Sequence, residues 1–469
     1  MRRVLRWAFV PFLVLAGMPA GARAEEMVLG VCCHPGYVRL MPLDWDGVFR
    51  WIKGCGARLC RVDWGVDWAV QDALLAAADK AGVEVLPVLF PPSPAEDTEQ
   101  AWYETSRRYG KECARRYRGH LQFFELSNER ECHCMTKWPG GGDRDGATMG
   151  DYDQAKYAPI RGMLRGLAEG VREGNHEALR LIGTAGWLHF GFIDLLVRDG
   201  VPFDVLVWHW YSEMGDMTGS IKSYSGTYTV LDKLTGYGKP VWVTEGNLRN
   251  GCLGGNEQVQ AEYLARTIKS LAATGKIGAY VVYELFDEPY LLSAGGEAFY
   301  GLVHCEWGLS EGREFPGARG TIGVREVEGR RALVLEWDFA DGGRYVSANW
   351  LPRTPVAADE LRLTLCSAVG HLPLLLRFVD ATGEHLQAQV EVDLTGGWQE
   401  LSFPIRRPWG NTWAGNKDGV IDQPLRGVWI GVRKNGVAQG EVALSRASLW
   451  REGVRAYDWD AALNEVFVP

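Results

Sequence analysis

Leu121-Gln122-Phe123-Phe124-Glu125-Leu126-Ser127-Asn128-Glu129 and Val241-Trp242-Val243-Thr244-Glu245-Gly246-Asn247 are two short apolar runs, each closing on glutamate. Runs of this length between helical patterns read as strands of a parallel sheet. Six further runs have the same character: Met27 to Cys33, Ala57 to Val62, Val83 to Phe90, Leu179 to Ala185, Val205 to Trp210 and Gly278 to Leu285. Between them Tyr157, Ile160, Met163, Leu164, Leu167 and Val171 keep one helical face, as do Val259, Tyr263, Leu264, Ile268 and Leu271. Ala69 to Ala81 and Thr98 to Arg118 also read as helices. Strand then helix, repeated eight times, predicts a (β/α)8 barrel. The alternative, a doubly wound sheet, needs a glycine-rich phosphate loop after an early strand, and none is present. The eighth unit has no clear amphipathic helix after Gly301-Leu302-Val303.

From Trp307 the pattern changes. Trp307 to Gly320 is rich in Gly, Glu and Pro and reads as a linker or a leading strand. Short strand patterns follow at Ala332 to Phe339, Leu361 to Cys366, Leu374 to Phe378, His385 to Val392, Gln399 to Phe403, Val428 to Val432 and Val442 to Trp450. Turn signals such as Asp341-Gly342-Gly343 and Thr395-Gly396-Gly397 separate them. This predicts an all-β, jelly-roll-like sandwich. The expected division is residues 25–305 for the barrel and 306–469 for the sandwich.

Residues 1–24 carry Arg2, Arg3 and Arg6, an apolar stretch from Phe9 to Gly17, and the small-x-small pattern Ala22-Arg23-Ala24. They read as a signal peptide, which places the chain outside the cytoplasm, secreted or periplasmic. A retained membrane anchor is the rival reading, although the stretch is shorter than the ~20 residues of a spanning helix. Removing it takes four arginines and no acid from a chain whose formal charge is already -9. That disfavours nucleic acid and anionic membranes as partners. Twenty tryptophans lean instead toward sugar, whose rings stack on indole, although many must fill two cores. Ten cysteines in an exported chain permit disulfides. Cys132 or Cys134 is expected to staple the long glycine-containing loop that follows Glu129. Cys132-His133-Cys134 lacks the usual spacing of a zinc site, so no metal or cofactor is expected.

A carboxylate at the C-terminal tip of a barrel strand faces the end where barrel active sites form. Two such carboxylates, Glu129 and Glu245, are the minimum equipment for cleaving a glycosidic bond. The leaving oxygen needs a proton as its bond breaks, and the other group must attack as an anion. Each also has a bland reading: rim ion pairs for the glutamates, a buried structural charge for Arg61, a core histidine for His209.

The residues resemble the clan A glycoside hydrolases, retaining enzymes on a (β/α)8 barrel, and among them the family 39-like and family 5-like members. The resemblance covers roughly residues 27 to 303. It implies that Asn128-Glu129 ends strand four with Glu129 as acid/base, and that Glu245 on strand seven is the nucleophile. It matches Arg61 of Leu59-Cys60-Arg61-Val62-Asp63 to a strand-two arginine near the nucleophile, and His209-Trp210-Tyr211 to a strand-six His-x-Tyr. Tyr283-Glu284-Leu285-Phe286-Asp287 is similar to a strand-eight Tyr-x-x-x-Asp. Asn128 would bond the sugar 2-hydroxyl. His34 at the end of strand one, Tyr283, and Trp138 in the long loop are further substrate-binding candidates. Trp64, Trp68 and Trp187 are possible platforms. Ser127 stands where many members carry Trp, and strand eight lacks their sugar-floor Trp, which puts the substrate in doubt. Residues from 306 resemble carbohydrate-binding modules through Gly396-Gly397-Trp398-Gln399-Glu400-Leu401. The expected function is a secreted retaining β-glycosidase acting on a poly- or oligosaccharide. The alternative is a non-catalytic sugar-binding protein on a retired barrel.

Overall fold

The computed structural model describes residues 27–34, 45–252, 257–288, 298–303, 306–312, 314–352, 354–406, 409–434 and 437–461. The expected signal peptide lies outside them. They fall into two compact units, the first taking 27–34, 45–249 and 257–285, the second 250–252 and 286 onward. No described helix is long and apolar enough to cross a membrane.

In the first unit β1 (Val28–Cys33), β2 (Leu59–Trp64), β3 (Glu84–Leu89), β4 (Phe123–Glu125), β5 (Leu179–Thr184), β6 (Val205–Tyr211), β7 (Val241–Asn247) and β8 (Ile277–Val282) close a parallel barrel. The order round the ring is β1-β8-β7-β6-β5-β4-β3-β2, so each strand pairs with its sequence neighbours. Outside lie α1 (Trp45–Gly54), α2 (Trp68–Ala81), α3 (Glu99–Arg116), α4 (Gln154–Gly174), α5 (Phe190–Arg198), α6 (Val230–Thr235) and α7 (Glu257–Thr274). Local chemistry sets several ends. Asp67 and Thr98 accept from backbone N–H groups at the starts of α2 and α3, and Gly82 ends α2 in the left-handed region. No described helix follows β8, as the eighth unit's sequence suggests.

Cys32, Leu59, Leu86, Leu181, Val205, Val207, Ala279 and Val281 form one buried apolar cluster. Side chains alternate along a strand, so the same face recurs two residues further on. Leu59 leads to Arg61, Phe123 to Glu125, and Val207 to His209. The apolar layer thus hands over to a polar layer at the C-terminal end of the strands.

On β7 simple alternation from Trp242 would reach Thr244. The register against β6 slips there: Trp208 faces Val243, but His209 faces Glu245. A bulge of one residue changes which side chain is presented inward, and it brings Glu245 to the mouth of the barrel.

Helices α3 and α4 meet along a row of glycines. A Cβ on Gly162 would lie 2.2 Å from the Glu99 carbonyl oxygen, on Gly166 2.3 Å from that of Tyr103, on Gly170 2.2 Å from that of Arg107, and on Gly174 2.4 Å from that of Lys111. Spacing of four keeps all of them on one helix face. Gly166→Ala tests which effect wins there. Alanine gains about 1 kcal/mol in helix propensity, whereas the forced separation costs about 1–3 kcal/mol. The thermal midpoint is expected to fall. A rise would mean that the helices part freely.

In the second unit the antiparallel strands form two sheets. One orders Trp307–Ser310, Tyr345–Trp350, Gly427–Arg433, His371–Val379, His385–Asp393 and Asn411–Trp413. The other orders Arg319–Val327, Arg330–Asp338, Gln439–Arg451, Glu360–Cys366 and Gln399–Pro404, with Val454–Asp460 added beside Gln439–Arg451. Alternate residues of both, among them Leu333, Leu335, Val346, Leu363, Leu374, Leu376, Ile430 and Leu449, share one core. This is a β-sandwich. Its Trp398 lies partly buried against Ala332, Val334, Cys366 and Ala443, and Trp413 stacks on His385 at 5.2 Å. Turn signals mark the gaps between strands but not the strands Arg319–Val327, Tyr345–Trp350, Asn411–Trp413 and Val454–Asp460, which the sequence reading passes over.

Candidate active site

Arg61 is the hub. It is 1 % exposed and spends its whole guanidinium on the strand ends around it. Nε and Nη2 donate to the two oxygens of Glu125 at 2.8 and 2.7 Å. Nη1 donates to Glu245 Oε1 at 2.7 Å, and Nη2 to Asn128 Oδ1 at 2.7 Å. The planar fork suits a bidentate carboxylate and leaves edges for two more acceptors. Glu245 receives a second donor from the Tyr211 hydroxyl, 2.8 Å from Oε2. His209 Nδ1 lies 2.7 Å from Glu129 Oε1 and 3.4 Å from Glu245 Oε2. One oxygen of Glu129, one of Glu245 and a ring nitrogen of His209 lie within 4.8 Å of one another. Glu129 stands just beyond β4 in a left-handed backbone conformation (φ 45°), and its side chain keeps 34 % exposure against 7 % for Glu245. One carboxylate thus meets solvent at the mouth, and the other is seated in the wall.

The electrostatics follow from burial opposed by partners. Burial opposes ionisation of Glu125, but the charge and hydrogen bonds of Arg61, with His209, hold its carboxyl down at about 2. Burial opposes protonation of His209, but Glu245, Glu125 and Glu129 lift it to about 10. The imidazole is therefore a cation at neutral pH. Burial and the Glu245 charge keep the Tyr211 hydroxyl protonated, a donor.

A group with a raised pKa stabilises the fold fully below its unfolded value and loses that contribution as pH climbs to its folded value. For His209 the window runs from 6.5 to about 10. Thermal midpoints of the wild type are expected to fall across that window, and those of His209→Gln to fall less. Parallel curves would refute the buried imidazolium.

His34 Nδ1 sits 3.1 Å from Asp63 Oδ2 and Nε2 3.9 Å from Glu284 Oε2. Its ring lies 5.2 Å from that of Tyr283, which in turn meets Tyr211 edge-on at 6.2 Å. The structure therefore brings Arg61, Asn128, Glu129, His209, Tyr211 and Glu245 together, with Tyr283 beside Tyr211 and His34 beside Tyr283. Trp138 is set apart from these contacts. It packs under Arg144 at 4.8 Å and meets Tyr224 at 6.3 Å. Trp64 is no platform: it is fully buried, edge-on to Tyr117.

The expected staple is absent. Cys132 and Cys134 are both free. Cys134 is buried with its thiol donating to the Glu131 carbonyl at 3.3 Å, and Cys132 lies at the surface with its sulfur 3.9 Å from Glu131 Oε1. Burial and the Glu131 charge push the Cys132 thiol well up, away from the thiolate that begins disulfide chemistry. The fully buried Glu131 carboxylate ties the loop instead. It accepts from the Ala185 N–H and pairs with His189 Nδ1 at 2.8 Å.

Sequence reasoning missed Glu125, the carboxylate that takes the bidentate edge of Arg61. Its signal is a charge placed four residues before Glu129 inside an apolar run, facing a lone arginine inside another. Glu131 had no comparable signal.

Residues 185–298, which include Glu245, match the family model described as glycosyl hydrolase catalytic core. No curated protein matches the chain. Among solved structures the chain is similar to the AHE enzyme from Alicyclobacillus herbarius, at 12% identity over 60% of this chain and 93% of that one, TM-score 0.42. It is similar to the β-glucosidase from Thermotoga maritima in complex with glucoimidazole, at 12% identity, 60% and 93% coverage, TM-score 0.42. The virulence factor SghA from Agrobacterium tumefaciens is similar at 12% identity, 60% and 92% coverage, TM-score 0.40. The glycosyl hydrolase catalytic core matched over residues 185–298 and the closed eight-stranded barrel agree with the clan A resemblance.

Proposed function

We propose that the chain is an exported retaining β-glycosidase acting on a poly- or oligosaccharide. The observation that carries this is the approach of the Glu129 and Glu245 carboxylates, whose nearest oxygens lie within 4.8 Å. Retaining pairs stand about 5–5.5 Å apart, whereas inverting pairs need roughly 6.5–9.5 Å to admit a water. In this reading Glu245 attacks the anomeric carbon while Glu129 protonates the departing oxygen. A glycosyl ester on Glu245 results. Glu129, now a base, takes a proton from the water that releases the sugar. Arg61 and Tyr211 hold Glu245 aimed. Asn128, whose oxygen is engaged by Arg61, has its amide N–H groups to offer a sugar hydroxyl. Tyr283 and His34 supply a ring wall beside them.

The test is chemical rescue of Glu129→Ala. Aryl glycosides with good leaving groups still form the glycosyl-enzyme, so added azide should restore turnover and give a product of retained configuration. Unassisted natural substrates should lose about 10²–10⁴-fold, the usual worth of acid/base catalysis. An inverted azide product would reverse the two roles. Wild-type protein that binds glycans but releases nothing from any of a broad panel would favour the sugar-binding alternative. The sandwich is read as a glycan-binding or propping module. A chain ending before residue 306 should lose affinity for polymer in the first case, and only thermal stability in the second.

A further inference from the structure

The loop after Glu129 carries a second cluster that the glycosidase reading does not use. Glu131 belongs to the short helical turn Arg130–His133, and His189 leads into α5. Glu131 Oε1 lies 2.8 Å from His189 Nδ1 and 3.9 Å from Cys132 Sγ. One donor atom from each of Glu131, Cys132 and His189 falls within 4.8 Å of the others. Glu131 is fully buried, yet its Oε2 has no hydrogen-bond partner. A carboxylate oxygen kept from water without a partner is costly, and a cation held at this carboxylate would lower that cost by attracting both its oxygens. Cys132 is exposed, so an ion has a way in from solvent.

We propose that Glu131, Cys132 and His189 form a site for one zinc ion. The donor set is one carboxylate oxygen, one thiolate sulfur and one imidazole nitrogen. This mixture of hard and soft donors suits zinc and not calcium or magnesium, which take oxygen ligands. Bonds of about 2.0–2.3 Å to a tetrahedral ion put its ligands roughly 3.3–3.8 Å apart. The Glu131–His189 contact of 2.8 Å must therefore open by about half an ångström, while the 3.9 Å from Glu131 to the sulfur is already near that range. Binding replaces the thiol proton, which leaves to solvent: the thiolate and the carboxylate then balance the two positive charges. Three protein ligands leave the fourth position to water. The ion would cross-link two segments 58 residues apart in sequence, one beginning at Glu129 and the other ending in α5. It takes the place in the loop that a disulfide was expected to fill, and it does not depend on the assignment of Glu129 or Glu245.

Cobalt(II) serves as the probe, since a cobalt–thiolate bond gives a charge-transfer absorption in the near ultraviolet. The full chain, stripped with chelator and titrated with cobalt, should develop that band to one equivalent, and zinc should bleach it. Cys132→Ser should show no band, and His189→Ala should bind at least about 100-fold more weakly. Circular dichroism and the metal-free thermal midpoint of Cys132→Ser should equal those of the wild type, because serine nearly matches cysteine in size. Zinc should raise the thermal midpoint of the wild type and leave that of Cys132→Ser unmoved. No band in the wild type at excess cobalt overturns the proposal. So does a band that survives Cys132→Ser, which would belong to another thiol.

Discussion

Glu245→Ala should abolish turnover on every glycoside, whatever its leaving group. The side chain supplies the bond-forming atom, and no neighbour can replace it: Arg61 is a cation, Tyr211 keeps its proton, and Glu125 is locked in the bidentate grip of Arg61. Removing the reacting group from such an assembly lowers kcat on the order of 10⁴–10⁶-fold. The fold should survive, because Arg61 retains Glu125 and Asn128 as partners. Activity and thermal midpoint are therefore expected to separate cleanly in this variant. Azide should restore turnover by entering the vacated space, with inversion at the anomeric carbon, and retained configuration would contradict the assignment. Activity within tenfold of wild type would remove Glu245 from the chemistry altogether.

Arg61→Ala should damage both stability and activity. Glu125 is 1 % exposed and owes its low pKa to this arginine above all other partners. Breaking a buried pair by deleting one member leaves the other charge stranded, at a cost of about 3–5 kcal/mol. Glu245 and Asn128 lose a donor in the same stroke, so kcat/KM should fall along with stability. Adding Glu125→Gln separates the two effects. The double variant should recover much of the stability and little of the activity, because the stranded charge is gone but Glu245 is still unheld. Denaturant midpoints and steady-state rates measure both. A loss below about 1 kcal/mol in Arg61→Ala would mean that His209 alone satisfies Glu125.

The barrel was legible because its strands are buried on both faces, so each appears as a compact apolar run with a polar tip. All eight runs coincide with barrel strands to within a few residues. Helices α1, α5 and α6 were not placed; α5 and α6 are short, and α1 follows a stretch without a clear strand signal. The charged and aromatic residues of the mouth were legible by residue type at strand ends. What could not be read was partnership. Arg61 was expected to serve Glu245, yet it gives two of its five hydrogen bonds to Glu125. The bulge that turns Glu245 inward is invisible in sequence, since strict alternation points Thr244 there. The loop's anchoring by Glu131 instead of a disulfide depends on Ala185 and His189, residues brought near only by the closed barrel.

The glycine row between α3 and α4 bears on how this chain can drift over generations. Every amino-acid-changing base substitution in a glycine codon installs at least a Cβ, and at positions 162, 166, 170 and 174 that atom would land on a carbonyl oxygen of the facing helix. None of these codons has a harmless neighbour that encodes another residue. Arg165, half exposed one residue away, is free to wander. A record of tolerated changes along α4 should therefore show a closed position at every fourth residue, added to those that the buried Met163, Leu164, Leu167, Ala168 and Val171 already close. The helix pair that precedes and follows β4 in the chain is thus held in register by residues that have no side chains to lose.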